Sequence, residues 1–124
     1  MSLLLDTHAV IWFLAGSDRL RAEARSAIES AERVYVSAAT IWEIATKAAR
    51  GRLDIPVDFA DRLLDVGMLP LALEWEHGRV AGSLPLHHRD PFDRMLVAQA
   101  IVERLTIVTR DRSIPLYPVP VIVA

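Results

Sequence analysis

Short apolar runs alternate with amphipathic stretches along the whole chain. Leu3-Leu4-Leu5 is apolar without alternation, the pattern of a short strand buried on both faces. From about Thr7 to Ala15 the pattern turns helical and is stopped by Gly16-Ser17-Asp18. Leu20, Ala24, Ala27, Ile28 and Ala31 form one stripe and predict a helix over Arg19 to Ala31. Arg33 to Val36 reads as the next strand. Ser37 is a natural N-cap for a helix ending near Gly51, with Ile41, Ile44, Ala45 and Ala48 facing the core and Glu43 and Lys47 on a neighbouring stripe. Pro56 precedes an amphipathic helix over Val57 to Val66, with Phe59, Ala60, Leu63 and Leu64 apolar. Met68 to Leu73 follows as a strand and Trp75 to Ala81 as a short helix. Asp90-Pro91 opens the clearest helix, because Asp is favoured at the N-cap and Pro at the first helical position. That helix runs to about Arg104. Thr106 to Thr109 and Val119 to Val123 are the closing strands. Strands alternating with helices predict an α/β fold with a mostly parallel sheet covered on both faces. No linker or repeat divides it, so 1–124 is one domain.

Composition narrows the class. The chain has 124 residues, 52 % of them hydrophobic and 24 % charged, which suits a soluble globular domain. No apolar run reaches the ~18 residues that cross a bilayer. The longest, Ala9 to Gly16, has no basic flank before it and follows Asp6 closely, so a signal segment is not expected. These features predict a cytoplasmic protein with no membrane partner. There is no cysteine, which excludes disulfides, thiolate catalysis and cysteine-bound zinc. A net charge of −2 does not advertise nucleic-acid binding. Lys47 is the sole lysine among 14 basic residues. Arginine suits bidentate phosphate contacts, but an arginine-biased genome explains the count equally well.

The candidate chemistry lies in four acids placed where a strand stops or a helix begins: Asp6, Glu43, Asp93 and Asp111. Each has a bland reading. Asp6 serves as an N-cap, worth about 1 kcal/mol. Glu43 pairs with Thr40 as a capping box or with Lys47 as an i,i+4 ion pair. Ser37 is the better cap, however, and it leaves Glu43 beyond the first turn. Asp90 is explained as an N-cap; Asp93, one turn in, is free to point off the helix N-terminus, and Asp111 turns the chain after its strand. Together the four belong to the carboxyl ends of the strands, where α/β sheets bind ligands. Carboxylates gathered there repel one another unless a divalent cation sits among them. Oxygen donors suit magnesium or manganese, and the pattern points to a metal-dependent nuclease that uses water as nucleophile. His8, His87 and His88 raise a second possibility, an imidazole-ligated zinc or manganese site. Adjacent histidines before a helix are more often solvent-facing or hydrogen-bonded. A signalling receiver domain needs paired acids after its first strand and a late lysine, which are missing. A haloacid-type phosphatase needs an acid where His8 stands.

Several blocks carry a resemblance. Leu3-Leu4-Leu5-Asp6-Thr7-His8-Ala9 with Trp12 comes first, then Val36 through Lys47 around Trp42-Glu43, then Gly51-Arg52-Leu53. His87-His88-Arg89-Asp90-Pro91-Phe92-Asp93-Arg94 through Ala100 and Val108-Thr109-Arg110-Asp111 continue it. In this order they resemble the PIN-domain family, and within it the VapC-type toxins of toxin–antitoxin pairs. The resemblance implies a PIN-like fold and a Mg2+- or Mn2+-dependent endoribonuclease. Its metal cluster would be built from Asp6, Glu43, Asp93 and Asp111, the last at the family's least uniform acidic position. Thr7 and Thr109 would orient that cluster, and RNA would be cut to leave a 3′-hydroxyl and a 5′-phosphate. The implied partners are an RNA substrate, a second copy in a homodimer, and a small cognate antitoxin that covers the active site. Operator DNA would be bound only through the antitoxin complex. The alternatives within the resemblance are a free-standing RNA-processing PIN nuclease and a catalytically idle PIN-like binding module. Trp12, Phe13, Trp42, Leu53 and Ile55 are candidates for an antitoxin groove, at least three of them expected in the core. Arg50, Arg52, Arg89, Arg94, Arg110 and Arg112 are expected near the cleft, where they hold phosphates or form solvated surface.

Overall fold

The computed structural model describes residues 1–124. In chain order its elements are β1 (Ser2–Leu5), α1 (Thr7–Leu14), α2 (Ala22–Ser30), β2 (Arg33–Ser37), α3 (Ala38–Ala49), α4 (Phe59–Asp65), β3 (Leu69–Leu71), α5 (Trp75–Ser83), α6 (Pro91–Glu103), β4 (Thr106–Thr109) and β5 (Val121–Val123). The strands form one sheet of order β3-β2-β1-β4-β5, parallel throughout. Leu3 sits beside Val34 on one flank and Thr106 on the other, so β1 is the central strand.

The triple leucine now has its reason. Alternate residues of a strand face opposite sides of the sheet. Leu3 and Leu5 enter one core, with Val10, Leu20, Ile28, Ile44 and Leu63 from α1–α4 and their connections. Leu4 enters the other, with Leu96, Val97, Ala100, Ile107, Ile114 and Tyr117. All three leucines are completely buried.

Two of the strand-to-helix turns are abrupt and capped by their own side chains. Asp6 ends β1 and accepts the Ala9 N–H at 2.9 Å. Ser37 ends β2 and accepts the Ala39 N–H at 3.0 Å. Both helices therefore rise from the carboxyl edge of the sheet. Asp90 caps α6 by accepting the Phe92 N–H at 2.8 Å, and Pro91 occupies the first helical position.

The element boundaries differ from expectation where local hydrogen bonding or proline intervenes. The second helix starts at Ala22 instead of Arg19, because Ser17 turns the chain by accepting the Arg19 N–H on its hydroxyl and the Leu20 N–H on its carbonyl. Val57 and Pro56 stay outside α4. The last strand shortens to Val121–Val123, since Pro118 and Pro120 have no N–H to give a ladder. A single 3-10 turn at Ile114–Leu116 was not anticipated. No helix is long and apolar enough to cross a membrane.

Candidate metal centre

Asp6, Glu43, Asp93 and Asp111 line one cavity of about 390 Å3, with Thr7, His8, Trp12, Lys47, Asp90 and Arg110. It opens at the carboxyl edge of the sheet, because β1 and β4 deliver Asp6 and Asp111 while α3 and α6 carry Glu43 and Asp93. Residues separated by more than a hundred positions meet there: the Thr109 hydroxyl donates to Asp6 Oδ2 at 2.5 Å. Asp6 Oδ1 is held by the Ala9 N–H, so this buried carboxylate is fixed at both oxygens. Glu43 is fixed likewise. The Thr7 hydroxyl donates to Oε1 at 2.6 Å and Lys47 Nζ to Oε2 at 2.7 Å. Thus the two threonines expected to orient the cluster touch Asp6 and Glu43 directly.

Asp111 is gripped from its own loop. Its Oδ1 accepts the Ser113 and Ile114 N–H groups at 2.7 and 3.2 Å, and its backbone N–H donates to Thr109 Oγ1 at 3.0 Å. His88 Nε2 lies 2.9 Å from Asp111 Oδ2 and 3.1 Å from Asp93 Oδ2. The Asp90 N–H donates to His88 Nδ1 at 3.1 Å. Since a backbone N–H only donates, Nδ1 is an acceptor and the ring proton sits on Nε2. His88 is thereby a donor clamped between two acids, and the same Nε2 stands close enough to both to share a metal ion with them. The other two histidines stack on aromatic rings, His8 on Trp12 and His87 edge-on against Tyr117.

Burial dominates the electrostatics of the raised acids, with neighbouring carboxylates adding to it. Asp93 is pushed up to about 7, first by burial and then by Asp90; His88 opposes this, and Asp6 and Asp111 add smaller upward contributions. Burial also raises Asp6, against the hydrogen bonds from Thr109 and Ala9 that favour its charged form. For Asp111 burial pulls upward too, but the His88 hydrogen bond and the loop N–H groups prevail and hold it below the ordinary carboxylate range. Asp6 and Asp93 resist ionising, and a divalent cation beside them would favour their charged forms. The donor set is all oxygen on the acids, which fits a hard cation such as magnesium or manganese. The tightest group of ligating atoms is His88, Asp93 and Asp111, all within 4.8 Å of one another. Asp6 and Glu43 stand on the same cavity wall outside that group.

Arg94, expected near the cleft as a phosphate contact or as solvated surface, turns inward instead. Its guanidinium donates inward to four carbonyls, of Ala81, Leu84, Pro85 and His88, at 2.9 to 3.2 Å. Tyr117, buried, donates to the Pro85 carbonyl at 2.6 Å and accepts the His88 N–H at 2.9 Å. Together they shape the segment that brings His88 and Asp90 to the site. Proximity to Asp93 in sequence was the only available signal, and it does not tell an inward arginine from an outward one.

Fold and site define an α/β protein with an acidic centre at the carboxyl edge of a parallel sheet. The family model for the PIN domain matches residues 3–119. Ribonuclease VapC22 of Mycobacterium tuberculosis is 33 % identical over 121 residues, covering 91 % of this chain and 89 % of that protein. The chain belongs to the PIN-domain family, in its VapC-type branch. Among solved structures, VapBC2 from Rickettsia felis bound to a DNA fragment from the promoter superposes with a TM-score of 0.73 at 12 % identity, over 98 % of both chains. FitAcB from Neisseria gonorrhoeae gives 0.69 at 22 % identity, over 98 % of this chain and 96 % of that one. At these identities the structural likeness speaks for the fold.

Proposed function

We propose that this protein is a divalent-metal-dependent endoribonuclease and the toxin of a toxin–antitoxin pair. The observation that carries this reading is the convergence of Asp6, Glu43, Asp93 and Asp111 on one cavity. The ribonuclease name of its Mycobacterium relative supports the substrate class. Asp6, Glu43, Asp93 and Asp111 would hold Mg2+ or Mn2+. Bound there, such an ion supplies Lewis acidity, lowering the pKa of water and neutralising charge on a scissile phosphate. The chain's own residues supply order. Thr109 and the Ala9 N–H aim Asp6, Thr7 and Lys47 aim Glu43, and His88 spaces Asp93 from Asp111. Each is set before substrate arrives, which is how a site avoids reorganisation during reaction. In-line attack by water that breaks the bond from phosphorus to the 3′-oxygen leaves a 3′-hydroxyl and a 5′-phosphate and needs no 2′-hydroxyl.

The partners belong to the same reading: a second copy in a homodimer, a small antitoxin, and operator DNA reached through that antitoxin in the cytoplasm. Trp42 is 65 % exposed and meets Phe92 edge-on, and is the leading residue for an antitoxin contact. Trp12, Phe13, Leu53 and Ile55 are half-buried against the core. The test is cleavage of a mixed RNA pool with magnesium or manganese, beside Asp6→Asn and a chelator control. Metal-dependent cutting that the substitution abolishes, with 5′-phosphate ends, is expected. Cutting that persists in chelator, or in Asp6→Asn, would sink the proposal.

A further inference from the structure

One wall of the acidic cavity has no part in holding carboxylates. His8, exposed on the first turn of α1, lies over Trp12 one turn later, with ring centroids 5.4 Å apart and planes inclined by 28°. The Arg110 guanidinium sits 4.6 Å from the Trp12 ring centroid. Arg110 is immobilised there: Nε and Nη2 donate to the Ala124 oxygen at 2.9 and 2.8 Å, and Nη2 also donates to the Arg19 carbonyl. All three side chains line the same cavity as the four acids. Trp12 is partly packed on the core, which accounts for one side of its indole. Core packing requires neither a nearly parallel imidazole nor a fixed cation beside the indole.

We propose that the His8–Trp12–Arg110 wall is a nucleobase subsite, which stacks an unpaired base of the nucleotide flanking the scissile phosphate. This rests on the nuclease reading above and adds to it the place where a base beside the cut is held. Three physical points support it. A base can lie on aromatic and guanidinium planes only when it is free of its own helical stack. The wall begins two residues after Asp6 on the same turn, so a base held there places its own phosphate beside the acids. The face is also the only one in the cavity with aromatic character, as the rest is five acids, Thr7 and Lys47. Stacking of this kind accepts any base, so the wall sets strandedness and leaves sequence preference to other contacts.

Trp42 and Trp75 are 65 % and 96 % exposed, so replacing both with phenylalanine leaves Trp12 as the only indole at little structural cost. In that background, with calcium replacing magnesium to slow cleavage, Trp12 fluorescence is titrated with three probes. They are a randomised single-stranded RNA oligonucleotide, a duplex of equal length, and a sugar–phosphate chain without bases. The single-stranded pool should quench Trp12; the duplex and the baseless chain should not. With affinity followed instead by the anisotropy of end-labelled probes, His8→Ala, at an exposed position, and Trp12→Leu should weaken the single-stranded pool by about five- to a hundredfold and leave the baseless chain unchanged. Equal binding of baseless and base-bearing chains overturns the subsite, as does unchanged affinity in both variants, which would assign the wall to a protein side chain. An equal loss for every probe in His8→Ala would reduce it to a structural element. Failure of the parent protein to bind or cut any RNA overturns the nuclease reading along with it. Cutting with unaltered affinity in the variants removes the subsite alone.

Discussion

Replacing Asp93 with asparagine should make the metal-free protein more stable while removing its activity. Asp93 ionises at about 7 in the folded chain against 3.8 for an ordinary aspartate, chiefly because it is buried and next because Asp90 faces it. The folded state thus binds this proton more tightly than the unfolded state. Its contribution to stability is fully present below about pH 4 and is lost as pH rises through about 7. A displacement of that size corresponds to about 4 kcal/mol, at about 1.4 kcal/mol per tenfold change in proton affinity. The side chain is 23 % exposed, and solvent screens it, so about 2 kcal/mol is the expected part. Asparagine keeps an oxygen that can accept from His88 and carries no charge. In chelator above about pH 7, Asp93→Asn should therefore unfold about 6–10 °C higher, at roughly 3–5 °C per kcal/mol for a domain of this size. The gap should close as pH falls towards 4. Excess magnesium or manganese should raise the parent's melting temperature by more than the variant's. Calorimetry across that pH range, with and without the cation, decides it. A variant no more stable than its parent at high pH, or a gap that widens on acidification, would refute the charge-repulsion account of the site.

Thr109→Val keeps the shape of a buried side chain but removes the hydroxyl that joins Asp6 to the Asp111 N–H. A charge-assisted bond and a backbone partner are lost together, so urea denaturation should show a loss of about 2–4 kcal/mol. Arg94→Met should cost about as much, since four carbonyls lose a donor and Pro85 keeps only that from Tyr117; retention of full stability with weakened RNA binding would instead favour Arg94 as a phosphate contact.

Which of these features could be read from the chain alone follows from the range of the forces involved. Caps and periodicity act over a few residues. Asp6, Ser37 and Asp90 could be identified as helix starts because each side chain satisfies an N–H two or three positions ahead. The uninterrupted Leu3-Leu4-Leu5 likewise announced a strand buried on both sides, and alternation of strands with helices implied the parallel sheet. The four acids were legible as a group because parallel strands end on one edge, so any residue after β1, β2 or β4 is delivered to the same side.

What the chain did not disclose depends on contacts made across it. His88 looked like one of an ordinary pair until folding set its ring between Asp93 and Asp111, 5 and 23 residues away. Arg94 looked like surface until the Ala81-to-His88 segment wrapped round it. The elevation of Asp93 arises first from burial, which no local pattern encodes, and only then from Asp90 at the N-cap of its own helix. Sequence by itself therefore determined the elements and their alternation and singled out four acids as candidates, since those rest on short-range geometry. Only tertiary structure decided which groups aim those acids, which cation turns inward and which wall is left for a base. Those depend on Coulomb and hydrogen-bond partners that meet only when the sheet closes.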